Sequence, residues 1–161
     1  MRNTCGVLPD LRLDHQLCFA LYAASRATTG AYRQSLEEVG LTYPQYVVML
    51  ALWETDGLTV SELGHRLHLD SGTLSPLLGR LATSGLVTRS RPDRDARRVV
   101  VHLTDSGKAL RAEAERIQCA LLERLDMPAN ELVQLRDLAH RLVDSLDKPA
   151  DPYHDNEGAS R

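Results

Sequence analysis

Between residues 59 and 104 the hydrophobic period changes from helical to strand-like within one short stretch, and this order constrains the fold more than any other feature of the chain. Thr59-Val60-Ser61-Glu62 has the form of a capping box, which starts a short helix carrying Leu63 and Leu67 inward. After Leu69-Asp70 comes SGTLSPLLGRLATSGL, in which Leu74, Leu77, Leu78 and Leu81 fall at i, i+3, i+4 and i+7. That spacing predicts a second helix burying its leucine face and ending at Gly85. Its other face is small and polar: Ser71, Thr73, Ser75, Gly79, Arg80 and Thr83. LVTRSR and RRVVVHL then read as two short strands around a Pro-Asp-Arg-Asp-Ala turn, a hairpin.

The flanks are helical. Asp14 is placed to cap a long helix running to about Glu38 and stopped at Val39-Gly40. Roughly 25 helical residues span about 37 Å, long for a small domain, so part of this helix is expected to pack outside its own fold. A helix follows from Tyr43 or Pro44 to Glu54, with Val47, Val48, Leu50, Ala51, Leu52 and Trp53 as expected core. Beyond Thr104-Asp105 the segment ALRAEAERIQCALLERL reads as one helix, and a last helix runs from Asn130, a good cap, to Leu146. The expected organisation is an arm over 1–12, one domain over 13–147 with its central unit at 59–104 and long helices at 14–39 and 105–146, and a disordered polar tail over 148–161.

Composition sets the class. The chain has 161 residues, 43% hydrophobic and 25% charged, as a globular domain with a proper core requires. No membrane-length apolar run or secretory leader is visible, so a cytoplasmic protein with no membrane partner is expected. Cys5, Cys18 and Cys119 are too few and too scattered for a disulfide scaffold. The net charge of −3 gives no global basic signature. Locally the balance reverses: Arg89, Arg91, Arg94, Arg97 and Arg98 stand against Asp93 and Asp95, a surplus of about three positive charges.

Two short helices and a basic hairpin have the order of a winged helix-turn-helix, mainly α with a small β wing. Its second helix fits a major groove of double-stranded DNA while the hairpin reaches the backbone or the neighbouring minor groove. Ser71, Thr73, Ser75 and Arg80 are candidates for contacting DNA, with Pro76 against a thymine methyl. The competing interpretation is a solvated polar surface on some other small domain.

LGHRLHLDSGTLSPLLGRLATSGLVTRSRPDRDARRVVVHLTDSG resembles the MarR family of dimeric winged-helix repressors over about residues 10–146. The DARR segment followed by VVVHLT is similar to that family's wing signature. The resemblance implies that Asp95 and Arg97 order the wing and present arginine to the minor groove, with Arg89, Arg91, Arg94 and Arg98 alongside. Within the family, LDHQLCFALYAASR is similar to the organic-hydroperoxide sensors of the OhrR group, with Tyr22, Tyr32 and Tyr43 matching by spacing. The resemblance implies a homodimeric repressor on a near-palindromic operator, organic hydroperoxide as inducer, Cys18 as the peroxidatic thiol and Cys119 as a resolving thiol. No enzyme activity, cofactor or metal is implied.

The chemistry at Cys18 has definite needs. Only a thiolate attacks a peroxide, and a thiol with a pKa near 8.5 is mostly protonated at neutral pH. A helix N-terminus contributes roughly 0.3–1 kcal/mol toward the anion, too little alone. Phenol hydroxyls can supply the remainder by donating to sulfur. Tyr22, four residues on, shares the face of Cys18. Tyr32 lies about 21 Å along the same helix, so Tyr32 and Tyr43 would have to come from a partner subunit whose long helix crosses antiparallel. Spacing alone leaves the alternative that Cys18 is core filler. Three rivals stand beside the thiol switch: a thiol peroxidase, a regulator of a small aromatic ligand with Cys18 inert, and a metal sensor using His65, His68 and His15.

Overall fold

The computed structural model describes residues 11–91 and 98–147. Helix α1 spans Leu17–Glu38 and α2 Tyr43–Glu54; strand β1, Leu58–Thr59, leads into α3, Val60–Leu67, and α4, Ser71–Thr83. Strands β2, Val87–Ser90, and β3, Val100–Leu103, precede α5, Asp105–Ala109, α6, Arg111–Arg124, and α7, Ala129–Leu146. Contacts divide the chain after Leu122 into two compact units.

In the first unit one core joins α1's end, α2, α3, α4, the sheet and the first half of α6. The leucine face of α4 is its keystone: Leu74, Leu77, Leu78 and Leu81 are all buried. Each such side chain contributes about 1.5–3 kcal/mol of hydrophobic stabilisation, far more than differences in helix propensity. The face therefore fixes α4's rotation and leaves Ser71, Thr73, Ser75, Pro76 and Arg80 exposed. The sheet is antiparallel with order β1-β3-β2. Val87 stands opposite Leu103 and Arg89 opposite Val101, while Leu58 of the unforeseen β1 stands opposite Val101 on its other edge.

Local signals hold at most boundaries. Thr59 and Glu62 form the reciprocal capping box, and Gly40 and Gly85 adopt the positive φ, 72° and 70°, of helix-ending glycines. Four expectations are corrected. Asp14 does not cap α1: a 3₁₀ turn at Leu13–His15 closes first, Gln16 is extended (φ −88°, ψ 118°), and the helix starts afresh at Leu17. Asn130 does not cap α7: Pro128, with φ held at −60°, precedes its first residue, and the Pro128 carbonyl accepts from Glu131 and Leu132. The helix after the wing is broken at Leu110 into α5 and α6. In α2 the buried set is Gln45, Tyr46, Val48, Met49, Ala51 and Leu52, with Leu50 40% exposed and Val47 and Trp53 half-buried.

The foot of the wing is tied to the core by a compact joint. The Thr104 hydroxyl donates to the carbonyls of Gly85 (2.6 Å) and Leu86 (3.1 Å) and accepts from the Gly107 amide (3.0 Å). The Gly107 carbonyl accepts from Trp53 Nε1 at 2.8 Å. A Cβ at Gly107 would lie 2.1 Å from the Leu86 carbonyl oxygen, so only glycine fits this approach. In the second unit, α7 carries Val133, Leu135, Leu138, Val143 and Leu146 as exposed apolar side chains.

The joint yields a stability prediction. Gly107→Ala should cost about 3 kcal/mol, the upper end of ordinary overpacking, read as a lowered urea midpoint; an unchanged midpoint would contradict the close approach.

Candidate nucleic-acid interface and thiol site

Caps hold the two short helices α3 and α4. Asp70 accepts from the Thr73 amide (2.8 Å) and hydroxyl (3.0 Å), starting α4. Glu62 accepts from the Thr59 amide and hydroxyl, both at 2.7 Å, starting α3. These hydrogen bonds favour the ionised forms: the Thr59 hydroxyl and then its amide hold the Glu62 carboxyl below its ordinary range, and the Thr73 amide and then its hydroxyl do so for Asp70. Thr73 is exposed as expected, yet its hydroxyl is committed to the cap.

A cleft of about 400 Å³ lies between the start of α3, the α4 surface and the base of the wing. Ser61 and Ser75 line it together with Arg89, Arg91 and Arg98. The structure thus brings one expected helix residue, Ser75, and three of the wing arginines to one place. Ser61 is a participant the sequence reading missed; as the second residue of α3 behind a capping threonine, it could have been found there. Ser71, Pro76 and Arg80 are exposed on α4. Arg94, Asp95 and Arg97 lie outside the described residues.

The thiol side is built on α1. Cys18 is the second residue of α1 and exposed, so it sits where helix amides have no intrahelical partner. Tyr22, 56% exposed, follows one turn later, and its hydroxyl accepts from Arg26 Nη1 at 3.0 Å, leaving the phenol proton available. The Arg26 guanidinium also covers the Tyr22 ring, 5.6 Å from its centroid. Cys119 is exposed on α6, and Cys5 lies outside the described residues.

Tyr32 and Tyr43 meet each other, their ring centroids 5.5 Å apart. Tyr46, which the sequence reading did not single out, packs with its ring centroid 5.5 Å from that of Tyr32 and 6.2 Å from that of Tyr43. The i, i+3 spacing of Tyr43 and Tyr46 was the available signal. Burial is the main cause that raises the Tyr32 pKa and pushes that of Tyr46 to about 12, so both remain protonated donors at neutral pH. A recess of about 540 Å³ borders Tyr43, with Leu36 and Leu41 on its apolar side and Arg26 and Arg33 on its polar side. Because α1 is continuous from Leu17 to Glu38, Cys18 and Tyr32 of one chain are separated by about 21 Å of helix. His65 and His68 are exposed on and just after α3, and among the described residues no group of three or more His, Cys, Asp or Glu is placed to hold a metal ion.

A recognition helix locked by its leucines, with a basic hairpin beside it, defines a winged helix-turn-helix transcription regulator. The chain belongs to the MarR family of such regulators in its SarA/Rot-type branch: the model of the transcriptional regulator SarA/Rot family matches residues 31–113. It is 41% identical over 136 residues to the organic hydroperoxide resistance transcriptional regulator of Bacillus subtilis, covering 84% of this chain and 92% of that one. It is 46% identical over 145 residues to the regulator TtmR of Methylorubrum extorquens, covering 86% of this chain and 74% of that one. Reduced AbfR bound to DNA is similar in structure, with a TM-score of 0.73 and 36% identity over 84% of this chain and 93% of that one. These relatives are transcriptional regulators and not enzymes, which removes the thiol peroxidase from consideration. Among the described residues no helix is long and apolar enough to cross a membrane.

The caps give a pH prediction. Glu62 and Asp70 have folded pKa values depressed below their unfolded ones, so their contribution is present above the unfolded values and is lost as pH falls through the folded ones. Asp70→Ala should lower the thermal midpoint at pH 7, and the gap to the native protein should close in acid below the ordinary aspartate range. A gap that stays constant with pH would refute the charged cap.

Proposed function

We propose that the chain is a homodimeric repressor that binds a near-palindromic operator when reduced and releases it when an organic hydroperoxide oxidises Cys18. One observation carries this reading: Cys18 stands exposed as the second residue of α1, one turn before Tyr22, in a chain 41% identical to a regulator of organic hydroperoxide resistance. The DNA side is supported by the Ser75 and arginine cleft and by the DNA complex of AbfR.

The dimer follows from what α1 and α7 leave uncovered. α1 has only Leu36 buried, and Leu17 and Tyr22 are 53% and 56% exposed; α7 has no buried residue. Apolar surface on this scale favours a partner. An antiparallel crossing of two α1 helices brings the Tyr32 and Tyr43 of one subunit to the Cys18 of the other, supplying phenol donors that one chain cannot bring to its own thiol. The dimer also holds two recognition helices about 34 Å apart, one helical repeat of DNA, so a modest shift of its arms misplaces both.

In the chemical step the Cys18 thiolate attacks the outer peroxide oxygen. The S–O bond forms, the O–O bond breaks, and the organic alkoxide leaves as alcohol after taking a proton. The resulting sulfenic acid condenses with a second thiol, Cys119 of the partner subunit or a small cellular thiol, forming a disulfide and releasing water. Leu17, Phe19, Leu21 and Val39, together with the apolar side of the recess beside Tyr43, favour an organic over an inorganic hydroperoxide.

Binding to the chain's own upstream DNA, before and after one equivalent of cumene hydroperoxide, tests the proposal with Cys18→Ser alongside. Release by the native protein and retention by the serine variant are expected. Release of both variants by an aromatic carboxylate, with Cys18→Ser as responsive as the native protein, would instead favour the ligand-induced regulator. Arg89→Ala and Arg98→Ala should each weaken operator and unrelated DNA alike and reduce the slope of log affinity against log salt by about 0.9, as loss of one phosphate contact does.

A further inference from the structure

The cleft between α3, α4 and the base of the wing is lined by Arg89, Arg91 and Arg98, and none of its described lining residues is acidic. Elsewhere the chain pairs arginine with carboxylate: Arg66 with Glu54, Arg111 with Glu115, Arg116 with Glu113 and Arg136 with Asp137. Among the described residues the cleft arginines form no ion pair. Glu62, whose carboxylate accepts from the Thr59 hydroxyl and amide, feels the charge of Arg98 without pairing with it. Three positive charges around one concavity, without a carboxylate among them, favour an anion from outside the chain. Of the hydroxyls lining the cleft, that of Thr59 is committed to the cap, donating to Glu62 Oε2 and accepting from the Glu62 amide. Ser61 and Ser75 are exposed, and neither side chain has a hydrogen-bond partner among the described residues.

The place of the cleft identifies the anion. With α4 in a major groove and the wing reaching the neighbouring minor groove, the one sugar-phosphate strand that separates the two grooves must pass between them. We propose that a backbone phosphate of this strand is seated in the cleft, and that Ser61 of α3 donates its hydroxyl proton to a phosphate oxygen that the three arginines hold. This rests on the reading of the chain as a DNA-binding repressor. The arginines supply the charge, whereas Ser61 supplies a short, neutral donor on a capped helix of the core. A phosphate contact carries no base information, so the role of Ser61 is to fix how α4 is set into the groove.

The test compares full-length native protein with Ser61→Ala, which removes one hydroxyl and leaves the Thr59 and Glu62 cap in place. Both are titrated onto the chain's own upstream DNA, onto an unrelated duplex, and onto upstream duplexes each carrying one neutral methylphosphonate in place of a phosphate. Ser61→Ala should bind the first two duplexes roughly two- to tenfold more weakly, the range that one hydrogen bond spans. Its slope of log affinity against log salt should match that of the native protein, because a hydroxyl displaces no counterion. At one phosphate in each half-site, the methylphosphonate should weaken the native protein and erase its advantage over Ser61→Ala. Native affinity for Ser61→Ala, a loss confined to the upstream DNA, or an advantage that persists at every substituted phosphate overturns the proposal while leaving the DNA-binding reading intact. Failure of the native protein to bind either unmodified duplex removes that reading and this proposal with it.

Discussion

The burial of four leucines on one side of α4 is the constraint from which the rest of the molecule follows. A helix whose leucine face is sealed against α2, α3 and the sheet cannot rotate, so its serine, threonine and arginine face is presented in one orientation. The caps at Thr59 and Asp70 set where the two short helices begin, and the Thr104 joint sets where the wing leaves the core. Recognition by a helix and a hairpin together requires that all three be fixed relative to one another. The sequence meets that requirement with apolar packing first and local hydrogen bonds second.

The central unit was legible because its signals are local and redundant. Leucines at helical spacing, a reciprocal capping box and glycine stops each predict the same boundaries, and the structure agrees with them. Legibility fails where a local signal is degenerate. α2 is apolar on almost every side, so periodicity could not say that Leu50 faces outward while Gln45 and Tyr46 turn inward. A two-residue strand such as β1 has no period to read, and it exists only because β3 offers an edge. Asp14 looked like a cap because its residue type is right, but the 3₁₀ turn ahead of α1 displaces the helix start, placing Cys18 nearer the free amides than the sequence implied.

The candidate thiol site divides in the same way. Cys18 and Tyr22 are related by one helical turn and could be paired from spacing alone. The meeting of Tyr32 with Tyr43 and the packing of Tyr46 against both are tertiary, a property no linear pattern encodes. The wing arginines were legible as a charge run, whereas Ser61 reaches their cleft only because β1 and the α3 cap fold it there.

Trp53 is the only tryptophan in the chain, and it lies between two parts of the fold that do different things. One edge of its ring faces Tyr46 and the tyrosine cluster, while its indole N–H bonds the Gly107 carbonyl at the foot of the wing. The molecule therefore contains its own optical reporter. Light absorbed by the neighbouring tyrosines passes to a single emitter whose hydrogen bond is anchored at the wing, so the colour and intensity of its fluorescence register the junction between the two regions without any attached label.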